Sequence, residues 1–230
     1  MELDKYLQLA QLHLDSHVPA KSVADYMDEF RLVADGDIPS GNEDMLYSYK
    51  VPRISPDGSC SMSDTADPES YDLSKILGGR SPDTTPRLAI LNELVNHAAG
   101  AMSVDWLGIY QRLTKNDGSD VLVKLAYYGA ISRAEFPLNE EFAAQSNNST
   151  VGMTGAARII NDIPEYIKSN GPYYSCDRRV KAEACLPLFA PNSITIVGII
   201  DAEAWRTDFF TNKTLSPLLA LCIVTPDFLI

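Results

Sequence analysis

The stretch Val104–Leu113, VDWLGIYQRL, and the stretch Val121–Tyr128, VLVKLAYY, decide the fold. Apolar residues alternate with other residues along both, which is the period of a β-strand. Lys115-Asn116-Asp117-Gly118 lies between them and is typical of a tight turn. The three segments together predict an antiparallel hairpin.

Helix and strand patterns also occur on both sides of this hairpin in the sequence. A helix is predicted to begin at Thr85-Pro86, and the small-residue segment Gly152–Ile160 is predicted to be the start of another helix. Two further strands are predicted at Glu183–Phe189 and Ile194–Glu203, and a last helix from Thr207. The order helix, hairpin, helix, hairpin, helix predicts an α+β fold, a mostly antiparallel sheet with flanking helices.

The chain divides by composition into three parts. Residues 1–35 carry apolar residues at helical spacing and predict an N-terminal helical segment. Residues 36–85 are rich in Gly, Pro, Ser and Asp, and predict a long connector. Such a connector is either a linker or a segment that drapes over a pocket. Residues 86–230 form the predicted α+β domain.

Charge and cysteine content limit the function classes. The 230 residues carry a formal net charge of −12, which disfavours nucleic acids and membrane surfaces as partners, although solubility explains the charge equally well. The acidic N-terminus does not resemble a signal peptide and no apolar stretch approaches the length of a membrane helix, so we expect a cytoplasmic protein with free thiols. The cysteines form no CxxC motif or Cys/His cluster, so no metal site is predicted.

One cysteine lies in a polar segment. Cys176 stands within Tyr173–Arg179, YYSCDRR, whereas structural cysteines prefer apolar strands and helices. Arg178 and Arg179 would lower the pKa of its thiol, and Asp177 would raise it. Cys176 is therefore a candidate nucleophile, and an inert surface thiol is the alternative.

Acidic residues enter or end two of the apolar strands. Glu183 begins one, and Asp201 and Glu203 project from the same face at the end of the other. Two like charges at this spacing repel each other unless a cation lies between them, and a ligand ammonium group would serve. Solvated strand ends are the alternative interpretation.

Two aromatic residues share one face of the first strand. Trp106 and Tyr110 flank Gly108, which predicts a slot for a small ligand between the rings. An ordinary core face is the alternative.

The order and spacing of these features resemble the free methionine-(R)-sulfoxide reductases, which are built on the GAF fold. The resemblance runs from about residue 87 to about residue 210. It is carried by the aromatic strand (Trp106, Tyr110), the small-residue helix start (Gly152–Ala157), the Cys176-Asp177 pair, Glu183 before Pro187, and the strand end with Asp201 and Glu203.

The resemblance implies a role for each matched residue. The carboxylates at Glu183, Asp201 and Glu203 would hold the ammonium group of the free amino acid and assist proton transfer. The rings of Trp106 and Tyr110 would wall the methyl sulfoxide end. The family has Asp where this chain has Glu203, which lengthens that side chain by one methylene.

The resemblance also implies a redox cycle without a bound cofactor. The thiolate of Cys176 would attack the sulfoxide sulfur, leaving methionine and a sulfenic acid. A second thiol would condense with that acid, and a thioredoxin-like or other thiol reductant would restore the enzyme. The family's cysteine in a Gly-x-Cys-Gly-like turn at the helix start is replaced here by Thr154. Cys185 and Cys60 are the candidate resolving thiols.

Three functions stay open from the sequence. The first is a thiol-dependent reductase of free methionine-(R)-sulfoxide or of a similar small sulfoxide. The second is a non-catalytic GAF sensor that binds a small amino acid or amine. The third is a dimerisation domain whose N-terminal helices pack against a partner. A small zwitterionic ligand and a homodimer are the partners that the resemblance implies.

Overall fold

A computed structural model describes residues 1–12, 18–36, 43–54, 66–174 and 177–230. Its strands are β1 (Ser48–Tyr49), β2 (Tyr71–Asp72), β3 (Trp106–Thr114), β4 (Asp120–Tyr128), β5 (Glu135–Pro137), β6 (Arg158–Ile160), β7 (Ala182–Phe189) and β8 (Ile196–Ala204). Its helices are α1 (Leu3–Leu9), α2 (Ala20–Asp35), α3 (Glu43–Tyr47), α4 (Ser74–Leu77), α5 (Thr84–Met102), α6 (Glu140–Ala143), α7 (Asn147–Thr154), α8 (Ile163–Lys168) and α9 (Asn212–Val224).

The main sheet has six strands in the order β5-β4-β3-β8-β7-β6, and every neighbouring pair is antiparallel. The predicted hairpin is β3 and β4, in which Leu107 lies opposite Tyr128 and Thr114 opposite Asp120. A register shift between Ile109 and Tyr110 interrupts the pairing. The α+β prediction is confirmed.

Helices α5 and α9 cover one face of this sheet, and α2 packs on both of them. Every residue of α9 from Thr214 to Val224 is buried, and α5 buries Leu88, Leu91 and Val95. Each large aliphatic side chain that is fully removed from water contributes roughly 1.5–3 kcal/mol to stability. Within the described ranges, no helix is both long enough and apolar enough to cross a bilayer.

The described N-terminal residues pack on the same core. Val23 and Phe30 of α2 are buried in the main apolar cluster. The hydroxyl of Tyr6 in α1 donates a hydrogen bond of 2.9 Å to the carbonyl oxygen of Pro187 in β7. The division of the chain at residues 35 and 85 stays a prediction.

The predicted connector carries short elements that lie against the sheet. Strands β1 and β2 pair with each other, with Ser48 opposite Asp72. The hydroxyl of Tyr49 donates to the carbonyl oxygen of Lys124 at 2.7 Å, and that of Tyr71 donates to Oε1 of Glu135 at 2.6 Å. The segment is therefore attached to β4 and β5.

The predicted helix start over Gly152–Ile160 is wrong. Helix α7 begins earlier, at Asn147, because the side chain of Ser146 caps it by accepting from the amide of Ser149. It ends at Thr154, and the next residue, Gly155, has a φ of 71°, the left-handed conformation that glycine favours at a helix C-terminus. The residues that follow form β6, which pairs with β7.

Two smaller expectations also differ from the structure. The last helix begins at Asn212 and not at Thr207, because Thr211 and Thr214 form a capping box. Simple alternation along the predicted strand Glu183–Phe189 would put Phe189 on the same face as Glu183 and Cys185, but Phe189 lies in the main core on the helix side. A register shift between Leu188 and Phe189 reverses the alternation there.

Candidate functional site

A pocket opens on the face of the sheet opposite the core helices. It encloses about 580 Å³ of space, its mouth included, although only about 30 Å³ admits the centre of a water molecule. An amino-acid-sized ligand therefore requires lining side chains to move. The lining residues are Trp106, Tyr110, Ala130, Ile131, Ser132, Arg133, Phe136, Ser146, Asn147, Asn148, Tyr174, Asp177, Glu183, Asp201, Glu203 and Trp205.

The three predicted acidic residues meet at this pocket. Glu183 on β7 lies directly opposite Glu203 on β8, and Asp201 is two residues before Glu203 on the same face. Glu183 and Asp201 are almost wholly buried, at 4% and 3% exposure, and Glu203 is half-buried. Strand pairing thus places the three carboxyl groups side by side, with those of Glu183 and Asp201 away from bulk water.

Two asparagines at the start of α7 hold two of these acids. Asn147 donates through Nδ2 to Oε1 of Glu183 at 3.0 Å, and Asn148 donates through Nδ2 to Oδ2 of Asp201 at 2.8 Å. Neither residue is singled out by the sequence patterns described above. The available signal was Ser146 followed by two asparagines, which are poor helix-interior residues and common at helix starts.

Burial raises the pKa of all three carboxyl groups. Desolvation is the largest cause for each of them. The charge of Glu183 raises the pKa of Asp201 further, and the charges of Asp201 and Glu183 do the same for Glu203. For Glu183, hydrogen bonds from Tyr173 and Asn147 offset part of the rise. A cation at this point would relieve the repulsion and favour the ionised forms.

Two buried oxygen atoms beside the acids lack a hydrogen-bond partner within the described part of the chain, namely Oδ1 of Asn147 and Oδ1 of Asp201. Both accept hydrogen bonds, and an unpaired buried acceptor costs roughly 1–3 kcal/mol. An ammonium group brings three donors and no acceptor. Among the described residues, no group of three or more side chains is arranged to hold a metal ion.

The two predicted aromatic residues form one wall of the pocket. Trp106 Nε1 donates to the carbonyl oxygen of Ala130 at 3.0 Å, and the Tyr110 hydroxyl donates to that of Arg133 at 3.1 Å. The predicted slot over Gly108 is wrong, because the rings themselves fill that space. A Cβ atom on Gly108 would collide with Cη2 of Trp106 and lie 3.0 Å from Cε2 of Tyr110.

Cys185 lies beneath this wall. It is wholly buried in a second apolar cluster together with Trp106 and Tyr110, and it sits opposite Asp201 in the β7–β8 pairing. Burial raises the pKa of its thiol well above the ordinary range, and the charge of Asp201 adds to this effect. Cys185 is therefore held as a neutral thiol.

The other residues predicted to take part in the redox cycle, or to replace one that does, are Cys176, Cys60 and Thr154. Cys176 and Cys60 lie outside the described residues, but Tyr174 and Asp177, close to Cys176 on either side, both line the pocket. Thr154 is exposed at the far end of α7, where its hydroxyl donates to the carbonyl oxygen of Thr150. The start of α7 is occupied by asparagines and not by Thr154.

Two basic side chains lie in or against the loop of residues 130–134, and the sequence patterns single out neither of them. Arg133 donates through Nη1 to the Tyr174 hydroxyl at 2.9 Å. Lys124 is fully buried behind the loop, where its Nζ donates to the carbonyl oxygen and to Oγ of Ser132 at 2.9 and 2.7 Å. Burial lowers the pKa of Lys124 well below its usual value.

No protein-family model matches the chain, and no curated protein sequence matches it. Solved structures match with low identity. A GAF domain structure matches at a TM-score of 0.54 with 14% identity, covering 98% of this chain and 96% of the other. A putative GAF sensor protein from Burkholderia vietnamiensis matches at 0.52 with 16% identity, covering 93% and 91%. A type II free methionine-R-sulfoxide reductase from Thermoplasma acidophilum matches at 0.50 with 17% identity, covering 62% and 91%. The chain therefore has a GAF-like α+β fold.

Proposed function

We propose that this protein reduces free methionine (R)-sulfoxide, or a similar small amino-acid sulfoxide, with Cys176 as the nucleophile. The observation that carries the proposal is the meeting of Glu183, Asp201 and Glu203 in one aromatic-walled pocket. Such a site suits a small molecule with a protonated amine at one end and an apolar group at the other. Residues on both sides of Cys176 line the same pocket, which supports its assignment.

In this proposal the acids bind the amine of the substrate. The ammonium group would donate hydrogen bonds to the carboxylates, and Oδ1 of Asp201 and Oδ1 of Asn147 are the acceptors without described partners. Binding would relieve the repulsion among the three carboxylates. A ligand whose amine is acylated carries no positive charge there, so it would lose the hydrogen bonds of an ammonium group and would not relieve the repulsion.

The reaction needs one nucleophile and one acid. The Cys176 thiolate attacks the sulfoxide sulfur while a carboxyl group protonates the sulfoxide oxygen. The attack forms a bond between Sγ of Cys176 and the substrate sulfur. The protonated oxygen then passes to Sγ as the sulfur–oxygen bond and the new sulfur–sulfur bond of the substrate both break, so methionine leaves and Cys176 becomes a sulfenic acid. Glu203 suits the role of acid, because burial and the charges of Asp201 and Glu183 raise its pKa and so favour its protonated form.

A thiol must then return Cys176 to its reduced form. An attacking thiol displaces water from the sulfenic acid and forms a disulfide, and a second thiol reduces that disulfide. Cys185 could resolve the sulfenic acid only if β7 moved, since its thiol is buried in the apolar cluster. Direct attack by an external thioredoxin-like or low-molecular-weight thiol is the simpler route, and Cys60 is the other internal candidate.

Turnover of the separated sulfoxide diastereomers tests the proposal. The full-length protein is incubated with free methionine (R)-sulfoxide or (S)-sulfoxide and dithiothreitol, and methionine release is followed by chromatography. We expect release from the (R) form and its loss in Cys176→Ser. Cys222→Ser is the matched control, since Cys222 is buried in the main core and is not one of the residues that line the pocket. Equal turnover in Cys176→Ser would contradict the assignment of the nucleophile.

A non-catalytic sensor is the second candidate function. It is favoured by the start of α7, where Asn147 and Asn148 occupy the pocket-facing positions and no cysteine is present. A sensor would bind methionine sulfoxide or another amine in a calorimetric titration and release no methionine with any thiol donor. A homodimer is a further prediction, which sedimentation equilibrium tests directly.

A further inference from the structure

We propose that Arg133 selects ligands that carry a carboxylate next to the amine, by binding that carboxylate at the end of the pocket away from the acids. This inference rests on the proposed amine-binding function. It adds a specificity-determining residue that the sequence patterns did not single out.

The pocket is polarised along its length. Arg133 is the one positively charged side chain among the described residues that line it, and the acids Glu183, Asp201 and Glu203 come from β7 and β8. Arg133 precedes β5 at the opposite side of the sheet, since β4 and β3 separate β5 from β8. A zwitterion placed between these groups would meet opposite charge at each end.

The width of this arrangement suits an α-amino acid. Neighbouring strands lie about 4.8 Å apart, so the three strand spacings from β5 to β8 cover on the order of 14 Å, and the long Arg133 side chain, which lines the pocket, covers part of this distance. The carboxylate and the ammonium group of an α-amino acid are attached to the same carbon and, with one hydrogen bond outward from each, span roughly 9 Å, which fits the remaining distance. Tyr110 lies on β3 between the two ends, and its hydroxyl donates to the carbonyl oxygen of Arg133.

The guanidinium group of Arg133 is held in place before any ligand arrives. Its Nε donates to the carbonyl oxygen of Glu135, and its Cζ lies 4.7 Å from the ring centre of Phe142. The rings of Phe136 and Tyr174 each lie 5.6 Å away. A planar, pre-positioned guanidinium loses little side-chain entropy on binding and matches the geometry of a carboxylate.

The other nearby cation cannot take this role. Lys124 does not line the pocket, because its ammonium group is buried under the rings of Tyr49 and Tyr127 at 4.9 and 4.1 Å and donates to Ser132. It supports the loop from behind. Of these two basic residues, Arg133 is therefore the one that binds the ligand carboxylate.

The inference is tested with matched ligands in the full-length Cys176→Ser protein. This substitution removes the proposed nucleophile, so that binding is measured without turnover. Calorimetry measures the affinities of methionine sulfoxide and of its decarboxylated analogue, 3-(methylsulfinyl)propylamine. We expect the amino acid to bind about 10- to 100-fold more tightly, the range for a charge-assisted hydrogen-bonded pair. In Arg133→Gln we expect this ratio to fall toward about 1, with the affinity for the amine nearly unchanged.

Two further variants separate recognition from structure. Arg133→Lys keeps the charge without the planar fork, so it should restore part of the ratio. Arg112→Gln should keep the full ratio, since Arg112 pairs with Asp120 and is not part of the pocket. A ratio near 1 in the starting protein, or equal weakening of both ligands in Arg133→Gln, overturns the role of Arg133 and leaves the amine site intact. If neither ligand binds to the starting protein, the proposed function fails as well.

Discussion

Asn148 donates its side-chain amide to Oδ2 of Asp201 at 2.8 Å, and Oδ1 of the same carboxyl group is buried with no hydrogen-bond partner among the described residues. One oxygen atom of this carboxyl group therefore accepts a hydrogen bond from the described part of the protein, and the other does not. The same is true of the Asn147 amide, whose Nδ2 donates to Glu183 while its Oδ1 has no such partner. The acidic end of the pocket is arranged to receive donors, at a cost to the stability of the empty protein.

Asp201→Asn should stabilise the protein while it weakens ligand binding. The substitution removes one of three adjacent buried carboxylates and keeps the shape of the side chain. We expect the free energy of unfolding at pH 8 to rise by about 1 kcal/mol, the usual gain when a functional site is relieved of strain. Asp25→Asn, on the exposed face of α2, should change it by less than about 0.5 kcal/mol. Urea titration measures both values.

The pH dependence of stability should show the raised pKa values of the acids. Between the ordinary carboxyl pKa and the raised values, the folded state binds more protons than the unfolded state. The stability from these groups is therefore present at low pH and is lost as pH rises through the folded-state pKa values. The lowered pKa of Lys124 acts oppositely, because the unfolded state then binds the extra proton and stability rises with pH. Thermal unfolding of Asp201→Asn and Glu203→Gln from pH 5 to 9 should give a weaker loss of stability with rising pH than in the parent protein. An unchanged slope would contradict the burial of charge at these positions.

Gly108→Ala should disturb the aromatic wall. The added methyl group collides with the Trp106 ring and presses on Tyr110, so one ring must move. We expect a loss of about 1–3 kcal/mol in the free energy of unfolding and a changed near-ultraviolet circular dichroism spectrum. Gly100→Ala is the matched control. It lies in α5 with open space around its Cβ position, so it should gain roughly 0.5–1 kcal/mol.

Lys124→Met should loosen the loop that carries Arg133. The ammonium group of Lys124 donates to two oxygen atoms of Ser132, and methionine has a similar length without these donors. We expect faster hydrogen exchange of the amides of residues 130–134, and weaker ligand binding. The overall stability should change little, because the variant also removes a buried charge. Unchanged exchange in this loop would show that other contacts hold it.

Local patterns in the sequence were enough for the hairpin and for the acids. Strand alternation places Asp201 and Glu203 on one face, and it needs no knowledge of the rest of the chain. The alternation failed at Phe189, where a register shift reverses the faces and leaves no mark in the residue types. The gap over Gly108 was misjudged because neighbouring rings can lean into space that a missing side chain leaves.

The partners of the acids depend on tertiary structure. Asn147 and Asn148 reach β7 and β8 only because Ser146 begins the helix there and Gly155 ends it. Arg133 lies in a loop whose path is set by Lys124, Tyr110 and the short strand β5. Residues 36–85 contain too little periodicity to reveal that Tyr49 and Tyr71 attach them to β4 and β5.

The most direct test of the acidic pocket is whether it requires a free amine. Methionine sulfoxide and N-acetylmethionine sulfoxide are titrated into the Cys176→Ser protein, alone and with Asp201→Asn or Glu203→Gln added. The account predicts binding of the free amino acid, at least about 10-fold weaker binding of the acetylated form, and a similar loss in both acid variants. Equal binding of the two ligands, or binding that neither acid substitution weakens, would contradict it.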